Sequence, residues 1–147
     1  MTHAEDPFTG NWILNREKSN FDANHQPLAA VSRWERTADG YHMRAEGQKE
    51  GGQTVVDQAI FLLDGREHPI PAAPGFTAYS EQLDSRTLHA VGRKDGQVVG
   101  EGTYTISEDG RTLTATVCGI DVQHRPFQTV VVWDRQMNGA APIAKDA

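Results

Sequence analysis

Alternation of apolar and polar residues recurs in short segments along most of the chain. Between residues 112 and 117 three threonines alternate with leucine, alanine and valine, which is typical of a strand with one buried face. Tyr41, Met43 and Ala45 likewise fall on one face of their segment. The pattern predicts a short strand near residues 66–70 and longer strands over residues 10–15, 31–38, 41–47, 54–63, 77–83, 87–94, 97–107, 112–119 and 126–135.

Asp-Gly pairs stand between these segments at positions 39–40, 64–65, 95–96 and 109–110. The pair favours tight hairpins because both residues tolerate positive φ angles, so we expect an antiparallel meander. Helix signals are almost absent, and only residues 15–24 have a composition that fits one or two helical turns. A long meander removes its exposed edges by closing on itself. We therefore predict an all-β fold, a closed or nearly closed antiparallel up-and-down β-barrel of about eight to ten strands.

Glycines on the predicted inner face indicate where the barrel wall bends or leaves space. Gly100 and Gly102 share a face with Tyr104 and Ile106, and Gly92 lies in the preceding strand. A glycine inside a strand marks a bend or a place where a bulky group approaches closely. We expect the wall to bend at Gly92, Gly100 and Gly102.

Length and charge limit the classes of protein to consider. The chain has 147 residues, and we predict one barrel domain over residues 1–136 and a flexible tail over residues 137–147. Lys and Arg number 14 against 20 Asp and Glu, which gives a net charge of −6 without a basic block. That balance argues against nucleic acid as a partner. No apolar segment approaches the roughly 20 residues that span a bilayer, so membrane insertion is not expected.

Cysteine and histidine positions limit the metal and redox chemistry. Cys118 is the single cysteine, which excludes an internal disulfide and any multi-cysteine metal site. The six histidines show neither the i, i+4 spacing of a helical metal site nor the i, i+2 spacing of a strand site. We expect no metal and no cofactor. The N-terminal residues show neither a basic start nor an apolar segment, which favours a cytoplasmic protein.

The two ends of the predicted barrel carry a known pattern. Gly10-Asn11-Trp12 opens the first strand, and Trp133-Asp134-Arg135 closes the last. This resembles the G-x-W start and the late basic residue of lipocalin and calycin barrels. Residues 6–21 are also similar to a group of small bacterial lipocalin-like proteins, mostly without an assigned function. The resemblance implies that Trp12 lies at the closed end of a barrel beneath Arg135, both in structural roles.

An eight-stranded barrel encloses either packed side chains or one small ligand. We predict that this barrel binds a small hydrophobic or amphipathic organic molecule in its interior, as a monomer or a homodimer. The residues expected to contact the ligand are large side chains assigned to the inner face, namely Trp34, Tyr41, Met43, Phe61, Tyr79, Tyr104, Phe127 and Trp133.

Two alternatives stay open from the sequence. One is a structural protein with a filled core. The other is a cofactor-independent isomerase, cyclase, hydratase or lyase, which needs only a dry pocket and one acid–base group with a shifted pKa. Glu81 shares a predicted apolar face with Tyr79 and is the candidate base. Tyr79 or Tyr104 would donate a hydrogen bond to a developing oxyanion, and Arg36 would orient an anionic substrate or pair with Glu81 or Asp57.

Overall fold

Ten antiparallel strands form one sheet in the computed structural model, which describes residues 6–20, 29–48, 52–70, 73–121 and 123–136. The strands are β1 (Gly10–Asn20), β2 (Ala29–Arg36), β3 (Gly40–Gln48), β4 (Thr54–Leu62), β5 (His68–Pro69), β6 (Phe76–Asp84), β7 (Thr87–Lys94), β8 (Gln97–Ile106), β9 (Thr112–Ile120) and β10 (Pro126–Arg135). Strands that are consecutive in sequence pair with each other, except for β4 and β5, which form the two edges of the sheet. The first and last strands, β1 and β10, also pair. The predicted all-β up-and-down architecture is confirmed.

The sheet curls until its two edges approach each other. β4 and β6 are in contact across the remaining opening, but no hydrogen-bonded ladder joins them in the described part of the chain. The barrel is therefore nearly closed. Within the described ranges, no helix is long and apolar enough to cross a membrane.

The segment expected to form a helical turn is instead the second half of β1, which continues to Asn20. Its pairing with β10 is irregular between Asn15 and Asn20. There the Asn15 side-chain oxygen accepts a hydrogen bond from the Lys18 backbone N–H at 3.1 Å. The backbone carbonyl of Asn15 accepts another from the Ser19 hydroxyl at 2.7 Å. These local bonds replace part of the ladder. Residues 21–24 of the predicted turn, and the predicted tail over residues 137–147, lie outside the described residues.

The fully buried Leu88 fixes which face of the neighbouring strands points inward. It lies opposite Gln82 of β6 and Tyr104 of β8, so these residues share its inner face. The buried core gathers where β1, β3, β7 and β9 begin, and we call this end of the barrel the closed end. Its residues are Phe8, Trp12, Trp34, Tyr41, Phe61, Leu88, Ile106 and Leu113. The opposite end, with the β7–β8 and β9–β10 turns, is called the open end.

Arg135 closes the barrel over Trp12. Its guanidinium carbon lies 4.3 Å from the centre of the indole ring. The same guanidinium donates hydrogen bonds to the carbonyls of Gly110 (2.7 Å), Thr9 (2.8 Å) and Pro7 (2.5 Å). One side chain thereby ties the last strand, the β8–β9 turn and the N-terminal segment together.

The glycine of the G-x-W motif has a physical reason at this end. Gly10 has a φ angle of 139°, and an added Cβ would lie 2.5 Å from a guanidinium nitrogen of Arg135. Trp12 is completely buried, and its indole N–H donates to the Phe8 carbonyl at 3.1 Å. Glycine at the first position of the motif therefore leaves room for the guanidinium that stacks on Trp12.

The Asp-Gly pairs do not all form the same turn. Asp95 and Gly96 have φ angles of 50° and 85°, the conformation expected for a tight β-hairpin between β7 and β8. Gly40 instead lies inside β3, where an added Cβ would overlap the backbone carbonyl of Phe61. Glycine at that position permits close approach of β3 and β4.

Candidate functional site

Three aromatic rings cover the core and face the barrel interior, and we call them the aromatic floor (Trp34, Phe61 and Tyr104). Trp34 and Phe61 are stacked, with ring centres 5.2 Å apart and planes 8° apart. Tyr104 meets both rings edge-on, at 5.8 and 5.4 Å. Each such pair adds about 0.5–1.5 kcal/mol beyond the burial of its area. The floor is therefore a rigid surface.

The Tyr104 hydroxyl lies on the side of the aromatic floor that faces the open end. It sits over Gly102, where an added Cβ would be 3.1 Å from the hydroxyl oxygen. Burial alone raises the pKa of Tyr104, and no hydrogen-bonding or charged side chain among the described residues contributes to the rise. The phenol consequently stays protonated and can donate a hydrogen bond.

A row of glycines crosses the inner wall nearer the open end. Gly92 of β7 lies opposite Gly100 of β8, which lies opposite Gly119 of β9. A Cβ added at Gly92 or Gly100 would contact one backbone oxygen, at 4.0 and 3.6 Å respectively, and no side chain of the described residues within 4 Å. At Gly119 it would overlap the Val99 carbonyl, so glycine there allows β8 and β9 to approach. The interior beside Gly92 and Gly100 is open.

The pairing between β7 and β8 shifts beside this row. Gly92 pairs with Gly100, but the next residue, Arg93, pairs with Val98, which leaves Val99 as an extra residue. Such a bulge bends the strand that carries it. Between the aromatic floor and the open end, many inner positions hold small side chains: Ala45, Gly47, Ala59, Ala78, Ser80, Ala90, Val117 and Thr129.

Two polar residues lie on the inner face of the opposite wall, the buried Ser32 and the solvent-exposed Asp57 of the edge strand β4. Ser32 of β2 and Asp57 of β4 both lie opposite Ala45 of β3, so they flank it on the same inner face. Ser32 is 1% exposed, and no described residue hydrogen-bonds its hydroxyl. Leaving a buried hydroxyl unpaired costs about 1–3 kcal/mol. Ser32 is therefore a buried hydroxyl at the level of Trp12 without a hydrogen-bond partner among the described residues.

A cleft of about 1020 Å³ opens between the β7–β8 and β9–β10 turns at the open end. Phe76 and Phe127 contribute aromatic surface to its lining, together with Val98, which is 46% exposed. Its charged residues balance, with Lys94 and Arg125 against Asp95 and Asp121. The cleft lies at the same end of the barrel as the glycine row.

The predicted ligand contacts divide into three groups. The first group belongs to the core or packs against it and consists of Trp34, Tyr41, Met43, Phe61, Tyr104 and Trp133. Phe127 lines the cleft at the open end. Tyr79 lies on the outer face of β6, opposite Val91, so its expected inward position is corrected. The contact of the other seven with a ligand stays a prediction.

The structure does not bring the predicted catalytic residues together in the interior. Glu81 lies opposite His89 on β7, one residue out of phase with the inward Leu88, so it shares the outer face with Tyr79. The Tyr79 hydroxyl donates to a Glu81 carboxylate oxygen at 2.8 Å, and this bond raises the pKa of Tyr79. Arg36 is bound elsewhere, at the closed end.

Arg36 belongs to a cluster with Asp6 and Tyr41. The Tyr41 hydroxyl donates to the Asp6 carboxylate, with oxygen–oxygen distances of 2.6 and 2.7 Å. One Arg36 nitrogen lies 3.3 Å from the same carboxylate and 3.2 Å from the Tyr41 hydroxyl. Burial, followed by the hydrogen bond and charge of Asp6, raises the pKa of Tyr41 to about 12. The cluster fastens Asp6 to the closed end.

We expect the tyrosines of the folded protein to ionise at higher pH than those of the unfolded chain. The pKa values of Tyr41, Tyr79 and Tyr104 are all raised from 10.0, that of Tyr41 to about 12. Folding therefore favours the protonated phenols, and the resulting stability is complete below pH 10 and is lost as the pH rises through the folded-state values. Spectrophotometric titration of phenolate absorbance, with and without denaturant, measures the difference. Identical titration curves would contradict it, and Tyr41→Phe should remove the component near pH 12.

Comparison with known sequences finds no match for this chain, whereas comparison with solved structures finds several of the same fold. No family model matches the sequence, and no curated protein matches it significantly. Among solved structures, the fluorescent protein UnaG superposes with a TM-score of 0.59 at 18% identity, covering 88% of this chain and 97% of that chain. A zebrafish ileal bile acid-binding protein complexed with cholic acid gives 0.52 at 12% identity, covering 88% and 99%.

As-p18, an extracellular fatty acid binding protein, also superposes, with a TM-score of 0.52 at 16% identity, and covers 92% of this chain and 100% of that chain. At these identities the likeness establishes the fold alone. The predicted up-and-down β-barrel is therefore confirmed as a fold, over nearly the whole length of each of these structures.

Two residues of the inner face could have been identified from the sequence pattern, although neither was among the predicted site residues. Gly119 continues the inner alternation of β9, and Ser32 continues that of β2 beside Trp34. Both follow from counting by two along a strand. Asp6 precedes the first strand, and no periodicity connects it to Arg36, so this partner was missed.

Proposed function

We propose that this protein binds a small hydrophobic or amphipathic organic molecule inside the barrel, between the aromatic floor and the open end. The observation that carries the proposal is the open space beside Gly92 and Gly100, where an added methyl group would meet no described side chain within 4 Å. Barrel interiors of this size hold either packed side chains or one small ligand. Glycine at two adjacent inner positions favours a ligand over a filled core.

The chemistry of the walls supports the same proposal. A stacked aromatic floor at one end and small aliphatic side chains along the wall offer apolar contact. The Tyr104 hydroxyl supplies a directed polar group, and a few such groups in an apolar lining are the usual composition of a small-molecule site. Two of the similar structures are, by name, a bile acid-binding and a fatty acid binding protein.

Tryptophan fluorescence tests the proposal directly. The chain has three tryptophans, and Trp34 is part of the aromatic floor. We expect at least one member of a panel of fatty acids, retinoids and flavonoids to change the emission saturably and to raise the melting temperature by mass action. Trp34→Phe should remove most of the change while leaving binding detectable by calorimetry.

The opposite result is equally clear. If no member of the panel changes either the emission or the melting temperature, the proposal is wrong and the filled-core alternative is favoured. A matched control for nonspecific adsorption is Ile60→Ala, which removes the most exposed of the large hydrophobic side chains, 64% exposed on β4. That substitution should not alter the response to the panel.

A further inference from the structure

The inner face of the barrel carries its positive charges only at the two ends. Among the inner positions of the paired strands, Arg36 and Arg135 lie at the closed end and Lys94 lies at the open end. His68 of β5, opposite the inward Ala78, is paired with Asp64 at 2.8 Å, so that pair carries no net positive charge. Both arginines are engaged, Arg36 with Asp6 and Arg135 with backbone carbonyls. Positive charge is therefore missing along the middle of the described wall.

The remaining basic residue near the interior does not change this distribution. Arg16 lies in the irregular part of β1, is exposed and is engaged in an interaction of its own. The charged residue on the inner face of the middle wall is instead acidic. Asp57 lies opposite Ala45 on the edge strand β4, where its side chain is exposed to solvent. The polar groups that accompany it, the hydroxyls of Tyr104 and Ser32, are neutral.

The open end does not supply the missing charge. The cleft there contains Lys94 and Arg125 together with Asp95 and Asp121, so these charges cancel. Arg125 lies 3.3 Å from Asp121, and the Lys94 ammonium lies 5.4 Å from the Phe76 ring centre. The whole chain has a net charge of −6, which repels anions at longer range.

A carboxylate entering such an interior would lose its hydration without gaining a cation. An unpaired buried charge carries a large desolvation penalty, and Asp57, at the exposed edge of the same face, adds a solvent-screened repulsion of like charge. A hydroxyl or carbonyl oxygen has no such penalty and can accept the hydrogen bond that Tyr104 is free to donate. The affinity of the interior for a neutral alcohol or carbonyl compound should therefore be much higher than its affinity for the corresponding carboxylate.

We infer that the barrel selects uncharged apolar molecules that carry a hydroxyl or carbonyl oxygen, and that it discriminates against the corresponding carboxylates. This inference rests on the proposed function, namely that the interior binds a ligand at all. In this respect the interior differs from what acid ligands, such as the cholic acid named for one similar structure, would require.

Matched alcohol and acid pairs test the inference. Hexadecanol with hexadecanoate, retinol with retinoate, and cinnamyl alcohol with cinnamate differ within each pair only in the polar end group. For every pair that binds, we expect the dissociation constant of the alcohol to be at least about tenfold lower at neutral pH, measured by tryptophan quenching. Tyr104→Phe, which keeps the ring of the aromatic floor, should weaken the alcohol about threefold to tenfold.

Charge variants give the second readout. Asp57→Asn should narrow the difference between alcohol and acid, whereas Glu101→Gln, the same change on the outer face of β8, should leave both affinities unchanged. Acids bound as tightly as the alcohols, or acid affinity that falls with Lys94→Gln, would overturn the inference and leave the proposed function standing. Failure of every pair to bind would overturn the proposed function and the inference with it.

Discussion

Replacing Trp12 with alanine is expected to lower the free energy of unfolding by about 3–5 kcal/mol. The indole is completely buried in the core at the closed end, and its removal leaves a cavity beneath Arg135. Urea unfolding followed by circular dichroism measures the loss. The matched control is Ile13→Ala, the next residue of the same strand, which is 42% exposed and should change stability by about 0.5 kcal/mol or less. Equal losses at the two positions would contradict a structural role for Trp12.

Arg135 should contribute to the free energy of unfolding through the geometry of its guanidinium as well as through its charge. Arg135→Lys keeps the charge, but one ammonium cannot reach the three carbonyls that the guanidinium binds. We expect a loss of about 2–3 kcal/mol. In the Trp12→Ala background the same substitution should cost less, because part of its effect is the lost stack on the indole. Strictly additive losses would show that the stack contributes nothing.

The face of a strand could be predicted from the sequence where the interior is filled. On β3 and β4 the large residues Tyr41 and Phe61 pack into the core, so alternation identifies their inner face correctly. On β6 the larger side chains, Tyr79 and Leu83, lie outside, and Leu83 is 56% exposed. Between Phe76 and the β6–β7 turn, the inner face of β6 carries the small or polar side chains of Ala78, Ser80 and Gln82. Hydrophobic size therefore identifies a packed wall and misleads at a cavity wall.

Contacts between segments that are distant in sequence could not be predicted from hydrophobic alternation, for a different reason. Alternation describes one strand at a time, whereas Arg36 is held by Asp6 through pairing of the N-terminal segment with the closed end. The motif ending at Trp12 did indicate the stack with Arg135, because a resemblance carries tertiary information that periodicity lacks. The same limit explains why Glu81 was predicted to be an interior base. The face on which it lies follows from the pairing of β6 with β7, which the alternation along β6 does not contain.

Filling the interior should abolish binding without unfolding the barrel. Gly100→Leu places an apolar side chain in the space beside Gly92, where an added Cβ meets only a backbone oxygen at 3.6 Å. We expect the affinity for the best-bound member of the fatty acid, retinoid and flavonoid panel to fall at least about 100-fold, which corresponds to roughly 2.7 kcal/mol. The melting temperature of the free protein should stay level or rise, since a glycine inside a strand is destabilising by about 0.5–1 kcal/mol.

Thr103→Leu is the matched control, because it puts the same side chain on the outer face of the same strand. It should leave the affinity within about threefold of the original protein, well under 1 kcal/mol. Gly119→Ala provides the contrasting case, since an added Cβ there overlaps the Val99 carbonyl and should disturb the pairing of β8 with β9. If Gly100→Leu folds normally and binds unchanged, the ligand does not occupy the level of the glycine row. Binding would then be confined to the cleft at the open end, and a paired substitution of Phe76 and Phe127 to alanine would remove it.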